Sequence, residues 1–156
     1  MIVATETHVT DHFDKEIKLL NYVTNRCDSH SSHTGGVVIY VRSDIKFKNV
    51  NTTRDKKTWI ISLDLISDEI LTIIGIYRSP SENPAINFFG HFRSHIERFI
   101  KPDSKVICVG DMNINIKRKS SAIINEYLNL IGSFGLKQIM KDYTREIKFS
   151  LSGKKG

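Results

Sequence analysis

The period of the hydrophobic pattern changes several times along the chain, and those changes outline its elements. Short β-rich stretches predict strands over 2–7, 37–42, 45–50, 59–66 and 70–77, with Trp59, Ile61, Leu63 and Leu65 on one face of the fourth. Ser67-Asp68-Glu69 reads as a hairpin turn, and the strands between residues 37 and 77 are expected to form one antiparallel meander. Ala85, Phe88, Phe89, Phe92, Ile96, Phe99 and Ile100 then recur at three and four residues, which predicts a helix packed on a sheet. A weaker helical spacing at Ile17, Leu20 and Val23 predicts a helix over 14–23, followed by a polar loop over 25–34. Another helix is expected from Ser120, with Ile123, Ile124, Tyr127, Leu128, Ile131 and Phe134 on its apolar face and Gly135 at its end. A last strand is expected over 136–140.

One stretch organises the others. Val106-Ile107-Cys108-Val109 is an unbroken apolar run, the pattern of a strand buried on both faces. It stops at Gly110 and delivers Asp111 and Asn113 into a loop, where Met112 and Ile114 fall between the polar residues as if side chains alternately pack and are presented. A strand end and turn would use the same residue types, so the motif alone leaves both readings open. The order of strands, helix, strand, helix, strand indicates a layered α/β protein.

Composition narrows the picture modestly. A chain of 156 residues with 40% hydrophobic content suffices for one domain with a core. Its 23 Lys and Arg against 17 Asp and Glu give +6, which favours an anionic partner. The apolar runs are too short to span a bilayer, so no membrane association is expected. Cys27 and Cys108 have no paired spacing for zinc or a disulfide framework, which points to a reduced, intracellular setting. His30 and His33 are expected to be solvated, and His91 and His95 to lie on the polar outer face of their helix, since no Glu follows His91 as a metalloprotease motif requires. The Met1 to Ala4 start has no basic leader and reads as a strand already under way.

Six blocks occur in a definite order: Thr5-Glu6-Thr7-His8, Gly35-Gly36-Val37-Val38-Ile39-Tyr40-Val41, Ile76-Tyr77-Arg78-Ser79-Pro80, Gly110-Asp111-Met112-Asn113-Ile114-Asn115, Ser133-Phe134-Gly135-Leu136 and Thr144-Arg145. Together they resemble the endonuclease/exonuclease/phosphatase superfamily, most closely the endonuclease domain of non-LTR retrotransposons. The resemblance runs from residue 2 to about residue 146, and so implies a partial domain over 1–146 followed by a polar tail over 147–156. It implies a four-layered α/β sandwich of the deoxyribonuclease I-like type, incomplete here, with its site at one edge of two packed sheets.

The chemistry implied is phosphodiester hydrolysis, which needs charge neutralised on the phosphate, an activated water and a stabilised leaving oxygen. The resemblance makes Glu6 the carboxylate for Mg2+, with Mn2+ as an alternative ion. Asp111 matches the aspartate that orients or deprotonates the attacking water, Asn113 the amide that holds the phosphate, and Tyr77 a phenol that hydrogen-bonds a phosphate oxygen. Thr144 matches a hydroxyl-bearing position near the DNA backbone, whereas Arg78, Arg145 and the Lys117-Arg118-Lys119 run are candidate phosphate contacts by their charge, with solvated surface charge as the alternative. DNA is the implied partner, a reverse transcriptase domain the implied neighbour in a longer polyprotein, and the nucleus the implied location.

Departures from the pattern bear on activity. The family places a strand and a helix before the Glu block, with an asparagine that helps position metal and phosphate, and a Ser-Asp-His-like ending after the Thr-Arg block. Here no histidine follows His95. The chain is therefore expected to be truncated at both ends and impaired as a nuclease, and the alternative expectation is a non-catalytic remnant that only binds DNA.

Overall fold

The computed structural model describes residues 1–11, 17–81, 86–101, 104–116 and 121–140. The β-rich stretches divide between two sheets. Strand β1 (Ile2–Thr5) and β2 (Tyr22–Cys27) flank β3 (Val37–Arg42), both antiparallel to it. The second sheet has the order β4 (Phe47–Arg54), β5 (Thr58–Ile66), β6 (Ile70–Arg78) and β7 (Lys105–Asp111). Its first three strands are an antiparallel meander, and β7 joins β6 in parallel after a crossover through helix α1 (Ile86–Phe99). Helix α2 (Ala122–Ser133) follows β7.

Alternation along β5 and β6 explains the three layers these elements make. Trp59, Ile61, Leu63 and Ile73 face β3, where they bury Val37, Ile39 and Val41. Ile60, Ile74 and Ile76 point the other way and meet Phe88, Phe92 and Ile96 of α1 and Tyr127 of α2. The central strands are thus buried on both sides, and the phenylalanines recur at the four-residue spacing that gives α1 its single apolar face. Helix α2 ends in a Schellman turn, with Gly135 at φ 70° and the Leu136 and Gly135 N–H groups donating to the Ile131 and Gly132 carbonyls.

Several expectations are corrected. Residues 17–20 are not helical, and Val23 pairs with Val41 in β2, which takes the first residues of the expected polar loop. Spacing of three signals a helix only when the residues share a buried face, and Leu20 is 88% exposed. Strand β3 belongs to the other sheet from the meander, and β4 begins at Phe47, with a register shift between Lys48 and Asn51. Strand β7 is not buried on both faces. Val106 and Cys108 pack toward the helices, whereas Ile107 and Val109 are 47% and 40% exposed. Residues 136–140 form no strand, and the Gln138 side chain there accepts from the Tyr127 hydroxyl and donates to the Met140 carbonyl. Among the described residues no helix is long and apolar enough to cross a membrane. The tail over 147–156 lies outside the described residues.

His95 is the largest surprise in the core. Only 1% exposed, its ring lies 2.8 Å from Thr53 Oγ1 through Nδ1 and 2.9 Å from Ser62 Oγ through Nε2, with its edge to Phe99. Burial pushes its pKa down from 6.5 to about 4. The folded state therefore favours the neutral ring, so the stabilisation is complete above the unfolded value and is lost as pH falls from 6.5 toward 4. We expect about 3 kcal/mol of acid destabilisation from this ring. Urea unfolding at pH 7 and pH 4 measures it, and the drop should shrink in His95→Gln; an equal drop in both would show that other groups carry it.

Candidate active site

Three strand ends meet at one edge of the two sheets. The parallel register of β6 and β7 sets Tyr77 opposite Asp111. The chain leaving β1 brings Glu6 to the same place, because the Tyr77 hydroxyl donates to Glu6 Oε1 at 2.5 Å. Residues 71 apart in sequence are joined there by one charge-assisted bond.

The backbone carrying Glu6 is unusual. Glu6 and His8 adopt φ 53° and 57°, a left-handed conformation rare for residues with side chains. The 29–36 loop holds it. Thr7 and His8 donate their N–H groups to the Gly36 and Gly35 carbonyls, and His8 Nδ1 lies 3.2 Å from the Ser32 carbonyl and so carries the proton. A Cβ on Gly36 would sit 2.3 Å from Thr7 Oγ1 and one on Gly35 2.3 Å from the Trp59 ring, so only glycine permits this approach.

Tyr77 is buried, with its ring tilted against Trp59. Burial first, then the hydrogen bond and charge of Glu6 and the charge of Asp111, push its pKa to about 12, while the Thr34 hydroxyl acts in the opposite direction. The phenol is thus held protonated as a donor that fixes the Glu6 carboxylate, whose chain end is exposed. Both cysteine thiols are also pushed to about 12 by burial, which removes them as ready thiolate ligands or nucleophiles.

Beyond β7 the chain turns sharply. Asn113, at φ 50°, donates its N–H to Asp111 Oδ1 at 2.9 Å and its side-chain Nδ2 to the Arg78 carbonyl at 2.7 Å. Met112 and Ile114 pack partly buried against the helix-side core, in keeping with their alternation with the polar residues. Glu6, Tyr77, Asp111 and Asn113, named from the sequence, are therefore brought together. Arg78 is also present but buried, with its guanidinium turned to backbone carbonyls. Thr144, Arg145 and the 117–119 basic run lie outside the described residues. Ser32 and Thr34 carry no signal of their own in the sequence, although the Gly35-Gly36 pair beside them marks a close backbone approach.

Among the described residues no group of three or more His, Cys, Asp or Glu could cage a metal ion. Magnesium commonly uses one or two carboxylates and keeps several waters, so an exposed carboxylate oriented by a tyrosine suits its donor chemistry. A groove between α1 and α2, lined by Phe89, Arg93, Asn125 and Leu130, shares none of these residues.

This arrangement is a layered α/β fold of the deoxyribonuclease I-like type. Among solved structures the chain is similar to the endonuclease domain of TRAS1, a telomere-specific non-LTR retrotransposon, with a TM-score of 0.60 and 13% identity. The match covers 80% of this chain and 58% of that one, and at this identity it establishes the fold. No protein-family model and no curated protein sequence matches.

Proposed function

We propose that the chain is a metal-dependent DNA endonuclease domain of the non-LTR retrotransposon kind, which nicks a target strand by hydrolysing a phosphodiester. The observation that carries this reading is the Tyr77 to Glu6 hydrogen bond beside Asp111 at the strand ends of this fold. Glu6 is the carboxylate that would hold Mg2+ or Mn2+, and the ion would supply charge neutralisation at the phosphate and an acidified water. Tyr77 spends its one hydroxyl proton on that carboxylate and keeps it oriented. Asp111 takes the proton of the attacking water, and Asn113 keeps the Asp111 carboxylate in place through its N–H, its side-chain Nδ2 being engaged by the Arg78 carbonyl. Fixed donors in place before substrate arrives cost no reorganisation during reaction. The same reading makes a fused reverse transcriptase domain the partner and the nucleus the place of action.

A second reading is favoured by the +6 charge of the chain: DNA binding without turnover. Supercoiled plasmid nicking decides between the two. We expect nicking with magnesium that stops when EDTA removes the metal. Salt-sensitive DNA retention without any nicking would establish the binding-only reading.

A further inference from the structure

Its charge makes Arg78 a candidate phosphate contact, yet its guanidinium is turned away from solvent and only 6% of the residue is exposed. Nε donates to the Met112 carbonyl at 2.6 Å and Nη2 to the Asn113 carbonyl at 2.7 Å, with a longer contact of 3.5 Å from Nη1 to the Ser79 carbonyl. The contact is reciprocal, because Asn113 Nδ2 donates back to the Arg78 carbonyl at 2.7 Å. Arg78 and Asn113 thus form a latch between the end of β6 and the turn after β7.

That turn needs holding. Asn113 stands at φ 50°, and its N–H is the donor to Asp111 Oδ1. Asparagine enters the left-handed region more readily than other residues with side chains, so its surroundings must select that conformation from the several open to it. Two charge-assisted hydrogen bonds from one rigid fork to consecutive carbonyls do so, and they fix the orientation of both peptide planes. Lysine has the charge but not the fork, so it cannot reach both carbonyls at once.

We propose that Arg78 is a positioning residue: its guanidinium latches the 111–113 turn, so that Asp111 and Asn113 are held in register with Tyr77, and it makes no contact with DNA. The inference rests on the reading of Asp111 and Asn113 as the groups that act on the phosphodiester. Its consequence is that Arg78 governs rate rather than DNA affinity.

The test compares wild type with Arg78→Lys. We expect the nicking kcat of Arg78→Lys to fall by roughly 10²-fold, as a misplacement of about 1 Å does. DNA affinity and its slope against salt should stay as in wild type, and the backbone amide of Asn113 should exchange with solvent at least about 10-fold faster. Retention of wild-type kcat and amide protection would overturn the latch. A salt slope reduced by about 1 would overturn it too, by making Arg78 a phosphate contact. Should Arg78→Lys fail to fold, the wild-type protein decides alone. The Arg78 Nε–H should be protected from exchange and unmoved in chemical shift when a DNA duplex is added; an exposed Nε–H, or one that shifts directly on DNA addition, sinks the proposal. If the wild-type chain nicks nothing, the endonuclease reading fails while the exchange measurements still decide whether the latch exists.

Discussion

Gly110→Ala should detach the end of β7 from β6 and cost more than about 4 kcal/mol, the range reached only by severe steric or polar insults. Gly110 lies opposite Ile76 in the parallel register and has φ 146°, a conformation side chains rarely adopt. A Cβ built there would lie 1.8 Å from the Ile76 carbonyl oxygen and within 2.9 Å of the Ile76 carbon and nitrogen. All three are backbone atoms, so no side chain can swing aside. Nor can β6 retreat, because Ile76 is fully buried between β5, β7 and the helices. The strand end that carries Asp111 must therefore move. Denaturant unfolding gives the loss directly. Gly90→Ala and Gly132→Ala are the controls, since a Cβ at either helix position meets nothing within 4 Å. Each should be neutral or gain roughly 0.5–1 kcal/mol from helix propensity. A Gly110→Ala protein that unfolds at the wild-type midpoint would show that β7 is not paired as described.

How legible these features were in the sequence depends on how local their causes are. Strands β5 and β6 and helix α1 were legible because Trp59, Ile61 and Leu63, or Phe88, Phe92 and Ile96, announce their period within a single element. The burial of β7 is not legible in its sequence, because apolarity says what a strand tolerates and not what covers it. Ile107 and Val109 stay 47% and 40% exposed on the face away from the helices. Strand β2 was missed since its edge position next to β3 demands backbone pairing and little side-chain pattern. His95 illustrates the same limit for a single residue. Its place on α1 suited a polar face, but the two hydroxyls that satisfy its ring come from β4 and β5, more than thirty positions away. Glu6, Tyr77, Asp111 and Asn113 were found through the order of their motifs rather than from periodicity, and the geometry that joins them is long-range. Arg78 was found as a residue, but its role was not legible, because nothing local distinguishes a guanidinium aimed at solvent from one folded back onto carbonyls.

The second large effect separates chemistry from architecture at Asp111. Asp111→Asn keeps an oxygen at Oδ1, so the N–H of residue 113 retains its acceptor and the turn its shape. It loses the carboxylate that accepts a proton from water. General-base catalysis contributes typically 10²–10⁴-fold, so we expect the single-turnover nicking rate to fall by roughly 10³-fold, about 4 kcal/mol of transition-state stabilisation. Asp111→Ala removes the acceptor as well, and should match that rate loss while also speeding amide exchange at Asn113. DNA affinity should not weaken in either variant, because each removes negative charge from a surface that meets phosphate. The pair of variants therefore distinguishes two roles for one side chain. Equal losses of rate with unequal exchange place the carboxylate in the reaction itself. A near wild-type rate in Asp111→Asn with a large loss in Asp111→Ala would instead make Asp111 a support for the Asn113 turn, and the attacking water would need another base.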